Sequence, residues 1–171
     1  ECLPAVIHVA ARTIATHALS IFGDHSDVYA TRQTGFCMLA STNVADANYL
    51  AAVAHLSAIE GSLPFIHFFD GFRTSHEVNK IKKLSEVDLL NLVNFDKVYE
   101  FKKRALNVGS HIQKGMAENE DIYFQSLEAR NELYDKMPDI VNDYMQKINA
   151  ITGKNYKPFI IMVMRLRQML L

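Results

Sequence analysis

Arg12 stands where an apolar run, Pro4-Ala5-Val6-Ile7-His8-Val9-Ala10-Ala11, gives way to polar residues. In open α/β sheets, ligands sit beyond the carboxyl ends of strands. A guanidinium at such a place grips a carboxylate through two parallel hydrogen bonds. The expected chemistry is recognition of a small anion. The same spacing also allows a structural ion pair with a nearby Asp or Glu. Downstream, the polar turn Phe22-Gly23-Asp24-His25-Ser26-Asp27 leads toward a second small-residue turn at Thr34-Gly35.

The loop Asp70-Gly71-Phe72-Arg73-Thr74-Ser75-His76-Glu77 is the second candidate. It gathers Asp70, Arg73, His76 and Glu77 just after another apolar run. One reading is acid–base or phosphate chemistry. The other is a rigid connector, with Asp70 holding turn amides, Arg73 pairing with Glu77 and His76 capping. Asp70-Gly71 looks like a piece of a metal–diphosphate motif, but the preceding Gly and the following Asn are missing. His8, His17, His55 and His67 lie in apolar segments and read as core or interface histidines with one satisfied nitrogen. His17 with Asp24, His25 and Asp27 matches no zinc spacing. Ser20, Ser41 and Ser75 have no nucleophile-elbow context. There is no P-loop and no GxGxxG motif. Cys2 and Cys37 have no CxxC spacing, so they cannot supply an iron–sulfur or structural zinc set. They read as small buried residues of a reducing compartment.

The elements that must position these residues follow an α/β rhythm. Residues 4–11 read as a strand buried on both faces. The spacing Ala11, Ile14, Ala15, Ala18, Leu19, Phe22 predicts a helix over 12–22, stopped by Gly23. Residues 28–31 read as a short strand, and 33–40 are ambiguous. A helix is predicted over 43–59, capped by Asn43, with Asp46 in its first turn and small residues on the face toward a sheet. Residues 63–69 read as a second buried strand. We expect the first strand to be central and the second beside it or one removed. Helices are predicted over 85–93, with a Ser85…Asp88 cap, and over 96–106. Residues 107–121 read as a long polar connection, and 121–136 are mixed. Residues 138–152 read as a strong amphipathic helix, with Pro138 in its first turn and Gly153 as its stop.

With 171 residues, the chain is long enough for one domain. A net charge of -1 leaves no electrostatic footprint for nucleic acid. No apolar run of about 18 residues is present, so no membrane partner is expected. The start, ECLPAVIH, does not read as a signal peptide and is expected to be the interior of a longer chain. A sheet cut there would carry an exposed edge and associate readily.

Four stretches carry a resemblance: HVAARTIATHALSIFGDHSDVYATRQTGFCMLAS, PFIHFFDGFRTSHEVNKI, EDIYFQSLEARNELYD and IVNDYMQKINAITGKNYKPF. They resemble the pyruvate:ferredoxin (flavodoxin) oxidoreductases. The resemblance implies that residues 1–159 are the latter part of the family's thiamine-pyrimidine-type domain. The implied fold is α/β, a partial parallel sheet flanked by helices, incomplete at its start. The implied reaction is oxidation of pyruvate with coenzyme A to acetyl-CoA and CO2. It implies thiamine diphosphate, magnesium and [4Fe–4S] clusters in the full enzyme, with ferredoxin or flavodoxin as electron acceptor. Implied partners are the remaining domains of the same polypeptide and a homodimer mate, in the cytoplasm or a hydrogenosome.

By this resemblance Arg12 matches the arginine that binds the pyruvate carboxylate. It assigns this chain no catalytic residue and no metal ligand, and leaves the cofactor contacts unknown. The family's aminopyrimidine-protonating glutamate lies upstream, and its diphosphate–magnesium motif and cluster cysteines lie downstream. The chain alone is therefore expected to bind no cofactor and to be inactive. A related 2-oxoacid or NADP-linked oxidoreductase, and a non-catalytic scaffold, remain as alternatives. The tail 160–171, IIMVMRLRQMLL, departs from the family pattern, as a frame change, a truncation or a short amphipathic helix would.

Overall fold

The fold is described from a computed structural model over residues 2–109 and 117–159. The tail 160–171 and part of the expected polar connection, residues 110–116, lie outside the described residues.

Three strands form one parallel sheet: β1 (Val6–Ala11), β2 (Cys37–Ala40) and β3 (Phe65–Asp70), in the order β1-β3-β2. Strand β3 is the central one, and β1, expected there, is at an edge of this sheet. Burial follows the exchange. Phe65, Ile66 and His67 are all buried, as a strand covered on both faces requires. In β1, by contrast, Ile7, His8 and Ala10 are exposed. The register sets Val6 beside Phe65, His8 beside His67 and Ala11 beside Asp70. On the other side, Cys37 lies beside Phe65 and Leu39 beside His67. Alternation then places His8, His67 and Leu39 on one face of the sheet.

That face is covered by helix α2 (Val44–Gly61), which follows α1 (Ser26–Thr31). Asn43 caps α2, its side chain accepting a hydrogen bond from the Asp46 amide at 3.0 Å. The expected small-residue face holds at Ala54 and Ala58, which are fully buried. Tyr49, Leu50, Val53 and Leu56 are buried as well. A helix apolar nearly all round is a buried one, and α2 lies between the sheet and a long C-terminal helix. Short helices α3 (Arg73–His76), α4 (Glu86–Leu92), α5 (Phe95–Lys103) and α6 (Glu120–Glu128) lead to that helix, α7 (Asn131–Thr152). Ser85 caps α4 through the Asp88 amide, as its spacing predicts. Met137, Val141, Tyr144, Met145 and Ile148 of α7 join the core with Phe65, Leu63 and Leu84.

Three elements differ from expectation. Residues 12–22 are not a helix but a loop, closed by an antiparallel bridge between Arg12 and Gly23. The amides of Arg12 and Ile14 are taken by the Asp27 carboxylate and the Ser26 hydroxyl, and β-branched Thr13, Ile14 and Thr16 gain little from a helix. Residues 28–31 are helical rather than extended, because Asp24 Oδ1 accepts the Ser26 amide at 2.6 Å and starts a turn that continues into α1. The mixed stretch 121–136 is the end of α6 and the first turns of α7. Pro138 thus sits inside α7 rather than in its first turn. There it has no N–H to give to the Tyr134 carbonyl.

Ile148 is fully buried between α2 and the sheet-side core. Ile148→Ala should cost about 2–5 kcal/mol, seen as a lower denaturant midpoint with an unchanged slope.

Candidate functional site

The C-terminal ends of all three parallel strands share one rim, and Arg12 is the first residue past β1 on it. Its Nε donates to the Gly71 carbonyl at 2.7 Å, and Gly71 is the first residue past β3. The Gly71 amide in turn donates to the Ala11 carbonyl at 3.0 Å. The β1–β3 pairing therefore continues one step beyond the strands and aims the half-buried Arg12 side chain. Among the described residues the Arg12 guanidinium forms no ion pair. The nearby carboxylate of Asp27 accepts the Arg12 backbone amide at 3.0 Å, not the guanidinium. An ion pair with Asp or Glu, one of the two readings of Arg12, is thus not what holds it. One nitrogen anchors the fork, and its two terminal nitrogens remain for a planar anion.

The 70–77 loop backs Arg12, and of the connector features expected of it only Asp70 on the turn amides is formed among the described residues. Asp70 Oδ1 accepts the Phe72 amide at 3.0 Å and the Arg73 amide at 2.5 Å. These backbone bonds hold the Asp70 carboxyl below its usual range. Ser75 Oγ donates to the Gly71 carbonyl at 2.8 Å, sharing that oxygen with Arg12. The expected Arg73–Glu77 pair is not formed among the described residues. His76 makes no cap; its Nδ1 lies 2.8 Å from Ser75 Oγ.

One satisfied nitrogen, as expected, is found at His17 and His55, but His8 and His67 each have both nitrogens bonded. His8 Nδ1 lies 2.8 Å from His67 Nδ1, and His8 Nε2 lies 3.1 Å from His55 Nε2. His67 Nε2 lies 2.7 Å from Ser41 Oγ, so both nitrogens of His8 and of His67 are bonded. Of these four, only His67 is buried, at 1% exposure; His8, His55 and His17 are exposed. Burial, with the neighbouring His8 and His55, pushes the His67 pKa down to about 4. Burial also lowers that of His55. Cys37, half-buried in β2, has its thiol pushed up to about 11 by desolvation. A cleft of about 640 Å³ lies beside β2 between Val28, Met38, Leu50, Phe68 and Met145, and Arg12 is not on it.

Comparison with known proteins places this geometry. Residues 1–146 match the family described as pyruvate flavodoxin/ferredoxin oxidoreductase, thiamine diphosphate-binding. The chain belongs to this family. It is 53% identical over 159 residues to the pyruvate-flavodoxin oxidoreductase of Enterobacter agglomerans, covering 93% of this chain and 14% of that one. The pyruvate:ferredoxin oxidoreductase of Moorella thermoacetica gives 53% identity over 159 residues, again 93% and 14%. The pyruvate dehydrogenase [NADP(+)] of Cryptosporidium parvum gives 46% over 159 residues, 93% of this chain and 8% of that one. The chain thus spans about 14% of the length of the first two relatives.

The rim fits one end of the family's chemistry better than the other. Arg12 suits a small carboxylate. The metal–diphosphate end of thiamine diphosphate finds no matching donor set here. Among the described residues no group of three or more His, Cys, Asp or Glu side chains is arranged to hold a metal ion, and Asp70 spends an oxygen on turn amides.

Gly71 admits no side chain. An added Cβ would overlap the Ala11 carbonyl oxygen and lie 2.7 Å from that of Ala10 and 2.5 Å from Arg12 Cγ. Two of these are backbone atoms, so Gly71→Ala should destabilise the protein by about 1–3 kcal/mol, read by chemical denaturation. A pH dependence follows from His67. Its folded pKa of about 4 lies below the ordinary histidine value of about 6.5. Between those values the unfolded chain binds a proton that the folded chain refuses. Stability is therefore full above about pH 6.5 and falls as pH drops. Between pH 7 and 5 the loss should be about 2 kcal/mol, and His67→Leu should flatten that slope in unfolding measurements.

Proposed function

We propose that this chain is the substrate-side part of a pyruvate:ferredoxin or flavodoxin oxidoreductase, with Arg12 as the pyruvate-carboxylate contact. Residues 1–159 would be the latter part of the pyrimidine-type domain, and 160–171 a tail outside the family pattern. The observation that carries the reading is the Arg12 guanidinium: anchored to Gly71 through Nε, it has no ion-pair partner among the described residues. Its position past a parallel strand supports a ligand role.

In the full enzyme, pyruvate is oxidised with coenzyme A to acetyl-CoA and CO2. [4Fe–4S] clusters, held by other segments, would supply the electron transfer to ferredoxin or flavodoxin. Thiamine diphosphate with magnesium, held largely by other segments, supplies the carbanion chemistry. Arg12 binds the carboxylate and fixes the keto carbon's orientation, an entropic as well as electrostatic contribution. The remaining domains of the polypeptide complete the site, in a homodimer in the cytoplasm. This chain alone should neither bind the cofactor nor turn over pyruvate.

A second reading keeps the 2-oxoacid chemistry and changes the acceptor. The relatives that support it are the NADP(+)-linked pyruvate dehydrogenases of Cryptosporidium parvum and Euglena gracilis.

In the full-length enzyme, Arg12→Ala should remove a charge-assisted contact of about 1.5–3 kcal/mol. The pyruvate KM should rise roughly ten- to a hundredfold with thiamine diphosphate content unchanged. An unaltered pyruvate response would remove Arg12 from the site.

A further inference from the structure

One feature of the sheet is unused by carboxylate binding. Four side chains form an unbroken line of hydrogen bonds across it: Ser41 Oγ to His67 Nε2 at 2.7 Å, His67 Nδ1 to His8 Nδ1 at 2.8 Å, and His8 Nε2 to His55 Nε2 at 3.1 Å. Ser41 is the first residue past β2, on the same strand-end rim as Arg12. Its amide donates to the Phe68 carbonyl at 2.9 Å, so its place at the rim is fixed. His55 is at the other end, exposed on α2. The line thus connects the buried rim with solvent.

The proton count makes the line directional. A neutral imidazole carries one N–H and one bare nitrogen. With three neutral rings, only two arrangements satisfy all three bonds. In the first, Ser41 donates to His67, His67 Nδ1–H to His8, and His8 Nε2–H to His55. In the second, every bond is reversed, and His55 donates back toward Ser41. The two differ by the passage of one proton from end to end. A proton arrives at Ser41 Oγ as its own passes to His67 Nε2. His67 releases its Nδ1 proton to His8, His8 its Nε2 proton to His55, and His55 its Nδ1 proton to water. The reverse passage restores the first arrangement. No bond except those to hydrogen changes and no electron moves. Burial disfavours a cation on His67, which favours a concerted shift over a charged intermediate.

We propose that Ser41, His67, His8 and His55 form a proton relay that moves one proton in either direction between the sheet's carboxyl rim and solvent. The proposal rests on the pyruvate reading for the source of protons. In the oxidation of pyruvate the keto oxygen takes up a proton when the carbonyl carbon is attacked and gives it back when that carbon is oxidised, so one passage in each direction per cycle returns the line to its first arrangement. Few other charges face the line. His67 lies on β3 against the Phe69 ring, His8 on β1 and Ser41 after β2, and Lys83 lines the cleft around His55. No carboxylate lines that cleft. His8, His55 and His67 are thus positioning and relay groups, with no contact to pyruvate claimed for them.

The decisive variant is exposed His55, whose replacement leaves the core intact. In the full-length enzyme, His55→Ala should lower the turnover rate about tenfold in weak buffer with pyruvate KM unchanged. Added imidazole should restore it. An unchanged rate, or a loss that imidazole does not repair, would overturn the relay. A second readout needs no activity: exchange of the histidine C2 hydrogens with deuterium across pH, read by mass spectrometry. A bonded line makes the titrations of its rings depend on one another, so that of His67 should shift in His8→Phe. A His67 titration that His8→Phe leaves unchanged would end the proposal. If the unaltered enzyme does not oxidise pyruvate, the functional reading fails, and this exchange measurement alone decides the relay.

Discussion

Everything at the rim depends on β3 pairing in parallel with strands on both of its sides. Hydrogen bonding in that ladder fixes relative height along three strands at once. It brings Gly71 level with the residue after β1, and that single coincidence supplies the carbonyl on which Arg12 rests. It also levels His8 with His67 and brings Ser41 alongside the same strand. A slip of one residue would send every one of these side chains to the opposite face. The anion contact and the histidine line are thus two products of one register.

The helical side secures that register. Helix α2 is clamped between sheet and α7, and polar bonds tie the clamp down at both ends. Tyr156 donates to Asp46 in the first turn of α2 at 2.7 Å, and Tyr144 donates to Glu60 in its last turn at 3.2 Å. Asn94 reaches the same Glu60 oxygen at 2.9 Å. The buried face of α2 carries the contact to Phe65, so whatever steadies α2 also steadies the strand beneath the rim.

Much of this was legible in the residues themselves. The apolar run 63–69, the Asn43 and Ser85 caps and the Gly153 stop each act locally, so their types announce them. Arg12 was visible because a strand end followed by Arg is a local pattern too. The parts that escaped depend on distant partners. Residues 12–22 have a helix-like period, yet Asp27 and Ser26, more than ten positions away, take their amides. Strand order could not be read, because β1 and β3 are similarly apolar and differ only in what covers them. The meeting of His8, His55 and His67 joins three separate elements, and no spacing along the chain encodes it. Pro138 showed the opposite error, a strong local sign outweighed by packing: Met137, beside it, is buried in the α2–α7 core.

The desolvated sulfur in β2 has its own outcome. Only a thiolate attacks disulfides or electrophiles at a useful rate. With its titration displaced to about 11, Cys37 stays in the protonated, unreactive state across the physiological range. Sulfur held in this sheet is thereby poorly suited to thiol–disulfide exchange or alkylation.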